Sequence, residues 1–188
     1  MKTLLVIALL AGGVATATYA EENVPTPHWA TKGGVVDLGA NGPAWENTDL
    51  ADILRIEDTY KRWGMYYDEA RMDLLPSVFT EDGELQLYVG SGEMAGSFSG
   101  PEAIGDFLSK TIEAQGDQRR HLMTNVLVES ISGTEASTVA YGAVLVADSG
   151  MKLDISALYT GDLVKGSDGV WRFRRLAIAM DSYAGGTK

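Results

Sequence analysis

Four long strand-like segments close the chain, and they constrain its fold more than any other feature. Residues 119–131 (RRHLMTNVLVESI), 135–148 (EASTVAYGAVLVAD), 151–165 (MKLDISALYTGDLVK) and 170–184 (VWRFRRLAIAMDSYA) are rich in β-branched and aromatic residues. Turn signals separate them at Ser132-Gly133, Ser149-Gly150 and Ser167-Asp168-Gly169. Three helical patterns come first. Thr48 or Asp49 caps a helix whose apolar positions Ile53, Ile56, Tyr60, Trp63 and Tyr67 recur at helical spacing. A shorter helix over 71–79 carries Leu74, Leu75, Val78 and Phe79, and TEDGELQLYV turns through Asp82-Gly83 into a strand. SGPEAIGDFLSKTIEA is the third helix, with Ser99 near its cap and Pro101 in its first turn. Helices followed by a strand meander predict an α+β fold, with helices on one face of a curved antiparallel sheet enclosing a cavity.

The ends read differently from this body. Residues 1–20, MKTLLVIALLAGGVATATYA, have the short basic start, apolar run and small residues of a secretory signal cleaved between Ala20 and Glu21. That predicts a periplasmic or secreted protein. Residues 21–48 are rich in Gly, Pro and Asn and read as an extended arm, which Trp29 and Trp45 tie to the body or to a neighbouring subunit. The domain runs from 49 to 184, and 185–188 are a tail. The net charge of −11 without a basic run argues against nucleic acid or an anionic membrane as partner.

The chain has no cysteine and two histidines, so disulfides and thiol chemistry are excluded and a zinc or iron site is disfavoured. The Gly-rich stretch GSGEMAGSFSG lacks the Lys-Ser/Thr of a phosphate loop and reads as a mobile loop over the cavity mouth. No serine-nucleophile elbow is present. What remains is cofactor-free proton transfer. On the first long helix, Lys61, Gly64 and Asp68 follow i, i+3, i+7 spacing, and Tyr60, Trp63 and Tyr67 make the adjoining face. Gly64 leaves room between Lys61 and Asp68 for a ligand or for close packing. Strand alternation puts His121, Met123 and Asn125 on one face, where Asp68 could hold His121 as an acid or base. Tyr88 and Tyr141 are candidate substrate contacts. His28, in the arm, is a structural histidine.

This order of elements resembles the SnoaL-like branch of the nuclear-transport-factor-2-like, cystatin-like superfamily. The residues that carry the likeness are YYDEARMDLLPSVFTEDGEL, RRHLMTN and the last hairpin, ALYTGDLVKGSDGVWRFRRLAIAMD, with Tyr159, Asp162, Trp171 and Arg175 in register. Within the superfamily, YYDEARMDLL is similar to a helix of scytalone dehydratase. That likeness implies roles for Tyr67, Asp68 and His121, while the second pocket histidine of that enzyme is missing here. The exported, Tyr- and Lys-rich chain also resembles cofactor-independent lyases of sphingomonads that release formaldehyde from lignin-derived diaryl compounds.

The resemblance implies a carbon–carbon lyase acting on a hydroxylated aromatic molecule, without metal or other cofactor. Asp68, His121, Lys61 and Tyr60 would be catalytic. Trp63, Tyr67, Tyr88, Met123, Asn125 and Tyr141 would bind the substrate. The alternatives are a dehydratase or isomerase of a polyketide- or steroid-like compound, or a non-catalytic small-molecule-binding module. A homodimer through the outer sheet face is common among such proteins and is expected here.

Overall fold

The computed structural model describes residues 27–39, 50–90 and 92–183. The signal segment, Trp45, the Thr48/Asp49 cap and the tail lie outside these residues. The described arm holds one helical turn, α1 (Trp29–Lys32). The body comprises helix α2 (Leu50–Asp68), a 3₁₀ turn (Leu75–Val78), strands β1 (Phe79–Val89) and β2 (Glu93–Ser99), helix α3 (Pro101–Ala114), and strands β3 (Gln118–Ser132), β4 (Glu135–Ala147), β5 (Met151–Lys165) and β6 (Trp171–Tyr183). No helix among the described residues is long and apolar enough to cross a membrane.

The six strands form one sheet in the order β2-β1-β6-β5-β4-β3. The C-terminal meander is antiparallel, as its turn signals require. The sheet as a whole is mixed, because β1 runs parallel to β6. The expectation of an all-antiparallel sheet is corrected there: a strand that enters from the helical half and pairs with the last strand has no hairpin to dictate its direction. Two local expectations also change. The helix expected over 71–79 is only the 3₁₀ turn at 75–78, since Phe79 already belongs to β1. The stretch read as a mobile loop contains β2, whose Ser99–Glu93 run pairs with Glu84–Val89 of β1.

Helices α2 and α3 cover one face of the sheet, and the core lies between. From α2, Ile56, Tyr60, Trp63 and Tyr67 are buried; from the sheet, Leu85, Leu87, Ala140, Tyr159, Leu163, Phe173 and Leu176 meet them. Helix α3 buries Ile104 and Leu108 and stacks Phe107 on Phe98 of β2, with ring centres 3.9 Å apart. Two polar anchors tie the first half of α2 to β5 and β6. Asp52 accepts hydrogen bonds from Trp171 Nε1 (3.1 Å) and Lys165 Nζ (2.9 Å), and Thr59 donates to the Trp171 carbonyl (3.0 Å).

The arm packs on the opposite, outer face of the sheet. Trp29 is buried there and its indole donates to Asp181 (2.7 Å), whose other oxygen accepts from Ser156 (2.9 Å).

Candidate active site

At Gly64 the helix backbone comes down onto strand β3. A Cβ at this position would stand 3.0 Å from the His121 Cβ and 3.4 Å from the His121 carbonyl oxygen. The missing side chain therefore serves close packing of helix on strand. That approach carries the end of α2 to His121. The backbone N–H of His121 donates to one oxygen of Asp68 (2.8 Å), and its ring Nδ1 lies 2.6 Å from the other. A carboxylate only accepts, so Nδ1 carries the proton and Nε2 presents its lone pair. Both side chains are more than nine-tenths buried. The Tyr67 ring stands edge-on to the imidazole at 4.8 Å, and its hydroxyl accepts from Gln115 Nε2 (2.9 Å), which ties the site to the end of α3. An oriented, buried imidazole backed by a carboxylate is the arrangement of a general base.

Beside this pair is a buried ion cluster that sequence reasoning missed. Arg119, two residues before His121 on the same face of β3, pairs with Asp154 of β5 (2.9 Å) and with Asp117 (2.9 Å). Burial opposes the guanidinium charge, but the two aspartates outweigh it and hold the group firmly protonated. The i, i+2 spacing to His121 is the signal that could have found Arg119. Asp154 is brought in by a register shift in the β4–β5 ladder that alternation does not foretell.

The remaining expected site residues divide between the core and the two outer surfaces. Trp63 is buried in the core, edge-on to Phe79 at 5.9 Å. Met123 is half-buried beside Gly64. Tyr60 is fully buried, and its hydroxyl is hydrogen-bonded to Thr138 Oγ1 (2.8 Å), which in turn donates to the Gly161 carbonyl. Burial pushes the Tyr60 phenol well above its ordinary pKa, so it is a proton-holding core group and not a base.

Lys61 is corrected more sharply. Its side chain stands in solvent, ion-paired to Glu57 one turn earlier (3.0 Å). Alternation fails at Asn125, which is exposed with φ 51° at an irregularity between Thr124 and Leu127. Tyr88 faces away from the core and donates to Gln86 (3.2 Å), opposite in alternation to buried Leu85 and Leu87.

Tyr141 also lies on the outer face, half exposed. It lines a cavity of about 470 Å³ between arm and sheet, together with His28, Trp29, Leu38, Ser156 and Asp181. Among the described residues no cluster of three or more His, Cys, Asp or Glu side chains is placed to hold a metal ion.

Helices layered on a curved mixed sheet, with the Asp68–His121 pair at the seam, define a cystatin-like α+β protein. The chain belongs to the SnoaL-like domain family, whose model matches residues 48–177. Among solved structures it is similar to a protein of unknown function from Mycobacterium tuberculosis (25% identity, TM-score 0.62, covering 73% of this chain and 77% of that one). It is similar also to ActVI-ORFA from Streptomyces coelicolor (20% identity, TM-score 0.60, 69% and 97%). A third similar structure is a nuclear-transport-factor-2-like protein with a cystatin-like fold from Novosphingobium aromaticivorans (21% identity, TM-score 0.59, 72% and 92%). No protein of curated function matches the chain.

Proposed function

We propose that this protein is a cofactor-independent carbon–carbon lyase acting on a hydroxylated aromatic molecule, best a lignin-derived 1,2-diarylpropane-1,3-diol. The observation that carries the reading is the buried Asp68–His121 pair, oriented twice over by one carboxylate and seated against an aromatic ring. His121 Nε2 takes the proton of the terminal hydroxyl. The bond to that carbon breaks and formaldehyde leaves. Its electron pair forms the stilbene double bond as the benzylic hydroxyl departs, and the proton held by His121 completes a molecule of water. Asp68 stabilises the imidazolium between the two transfers. The aromatic side chains around the pair, Tyr67 and Trp63, suit a ligand made of rings.

A dehydratase is the second reading, favoured by the contact of Tyr67, Asp68 and His121, which supply part of a scytalone-dehydratase-like site, its second histidine being missing here. Incubation of the purified protein with diarylpropane diols, with mass spectrometry and a formaldehyde assay, separates the two. The lyase gives stilbene and one formaldehyde per turnover. Loss of water with the CH2OH group retained would establish the dehydratase, and unchanged diols would remove the lyase reading.

A further inference from the structure

The cavity of about 470 Å³ under the arm lies on the outer face of the sheet, across from the Asp68–His121 pair. Small-molecule sites typically enclose about 300–1,000 Å³. A strained turn builds its roof. His28 takes a left-handed backbone (φ 64°, ψ 27°) just before α1, a conformation that residues other than glycine keep only where their surroundings hold it. Here the His28 carbonyl accepts from the Lys32 N–H and the Thr31 hydroxyl, both at 3.0 Å. That turn sends the Trp29 indole down onto Asp181 and leaves the His28 ring on the cavity wall. Trp29 is buried while the space beside it stays open, so the arm bridges the sheet without filling it.

The lining defines what the space can hold. Trp29 and Leu38 of the arm face Leu158 and Tyr141 of the sheet, which suits rings. The Asp181 carboxylate takes one donor on each oxygen, Trp29 Nε1 at 2.7 Å and Ser156 Oγ at 2.9 Å. Each oxygen keeps acceptor capacity for a further donor. The half-exposed Tyr141 hydroxyl has no hydrogen-bond partner among the described residues. No Lys or Arg lines the space, so an anion would find no fixed cation there. Tyr141 of β4 pairs with Leu158 of β5, and Leu158 with Ala179 of β6, two residues before Asp181. Tyr141 and Asp181 thus stand two strands apart, about 10 Å across the sheet. Two linked rings with a hydroxyl at each end can span that gap.

We infer that this cavity is a second binding site, for an uncharged two-ring aromatic molecule with a hydroxyl at each end. One hydroxyl donates to Asp181 beneath Trp29, and the other accepts from the Tyr141 hydroxyl at the exposed side. The ligand joins arm to sheet, away from the imidazole of His121. The site goes beyond the lyase reading and needs no reaction at the Asp68–His121 pair.

Calorimetric titration of the full protein with 4,4′-dihydroxybiphenyl, 4-hydroxybiphenyl and biphenyl-4,4′-dicarboxylate tests it. The diol should bind about 3- to 10-fold more tightly than the monophenol, the worth of one neutral hydrogen bond. The dicarboxylate should bind at least about 10-fold more weakly than the diol, having no hydroxyl to donate to Asp181. Tyr141→Phe should erase the difference between diol and monophenol. Ala143→Phe, which builds a ring into the cavity from its floor, should abolish binding while melting near wild type. The amide resonances of Thr31 and Leu38, both in the arm, should shift as the diol saturates the protein.

Absence of diol binding, or undiminished binding in Ala143→Phe with the arm resonances unmoved, would overturn the site. An undiminished preference for the diol in Tyr141→Phe would overturn the part given to Tyr141. A dicarboxylate that binds as tightly as the diol would overturn the uncharged class. Binding under the arm in a protein that releases no formaldehyde from diarylpropane diols would retain this inference while the lyase reading falls.

Discussion

Gly64→Ala should destabilise the protein, although at most interior helix sites the same change stabilises. The helix gains about 1 kcal/mol from the better propensity of alanine. Against this stands the new methyl, 3.0 Å from the His121 Cβ and 3.4 Å from the His121 carbonyl oxygen, where carbon atoms prefer about 3.5–4.0 Å. Neither neighbour is the far end of a flexible chain. His121 is held by Asp68 at its backbone N–H and at its ring, so it cannot retreat without stretching one of those bonds. Overpacking of this kind costs about 1–3 kcal/mol, which leaves a net loss of up to about 2 kcal/mol. For a chain of this size each 1 kcal/mol moves Tm by about 2–4 °C. Calorimetry should therefore show a fall in Tm of up to about 8 °C. The His121 amide should also exchange its hydrogen faster, as its bond to Asp68 lengthens. An alanine variant that melts a few degrees above wild type, with the His121 amide equally protected, would refute the close-packing account of this glycine.

The other expectations concern chemistry and charge. Asp68→Asn and His121→Ala should each lower turnover of a confirmed substrate by at least about 100-fold, the scale of a lost proton-transfer group; wild-type rates in folded variants would dismiss the pair as catalytic. Lys61→Met should leave both turnover and Tm almost unchanged, within about 0.5 kcal/mol in stability, and a large loss of kcat would restore Lys61 to the site. Burial pushes the Asp52 pKa up, but its bonds to Lys165, Trp171 and Arg55 outweigh that and hold it below the ordinary 3.8. Its contribution is thus complete above that value and lost as pH falls through the lower folded value. Asp52→Asn should flatten that acid limb in melts taken across pH 2–5, and an identical limb would place the effect elsewhere.

The sequence disclosed the fold through its repeated short-range signals. Gly and Asp turns spaced the last four strands correctly, and the helical spacing of Ile56, Tyr60, Trp63 and Tyr67 marked the buried face of α2. It also offered Asp68 as a partner for His121, from helix spacing and strand alternation and again from the family likeness. What stayed hidden depends on events between distant segments. Lys61 shares an angular position with Asp68, but it sits two turns away along the axis, where its side chain reaches solvent and pairs with Glu57. Asn125, Tyr88 and Tyr141 show that alternation assigns a face only when the register is known. An irregularity turns Asn125 out, and Tyr88 and Tyr141 belong to the other side of the sheet. The parallel β1–β6 pair left no local mark at all.

That pair also decides when the molecule can fold. Strand β6 is the last strand in the chain and sits inside the sheet, with β1 on one side and β5 on the other. Phe79 must find Phe173, so closing this seam means ordering a loop that spans most of the domain. Contacts of such long range slow folding. On a ribosome or during threading through a pore, the helical half would wait with β1 unpaired on one edge and its apolar face exposed. A chain interrupted before Trp171 keeps two hairpin systems with nothing to join them. Damage to the final thirteen-residue strand should therefore act on the whole domain at once, where damage to the edge strands β2 or β3 would stay local.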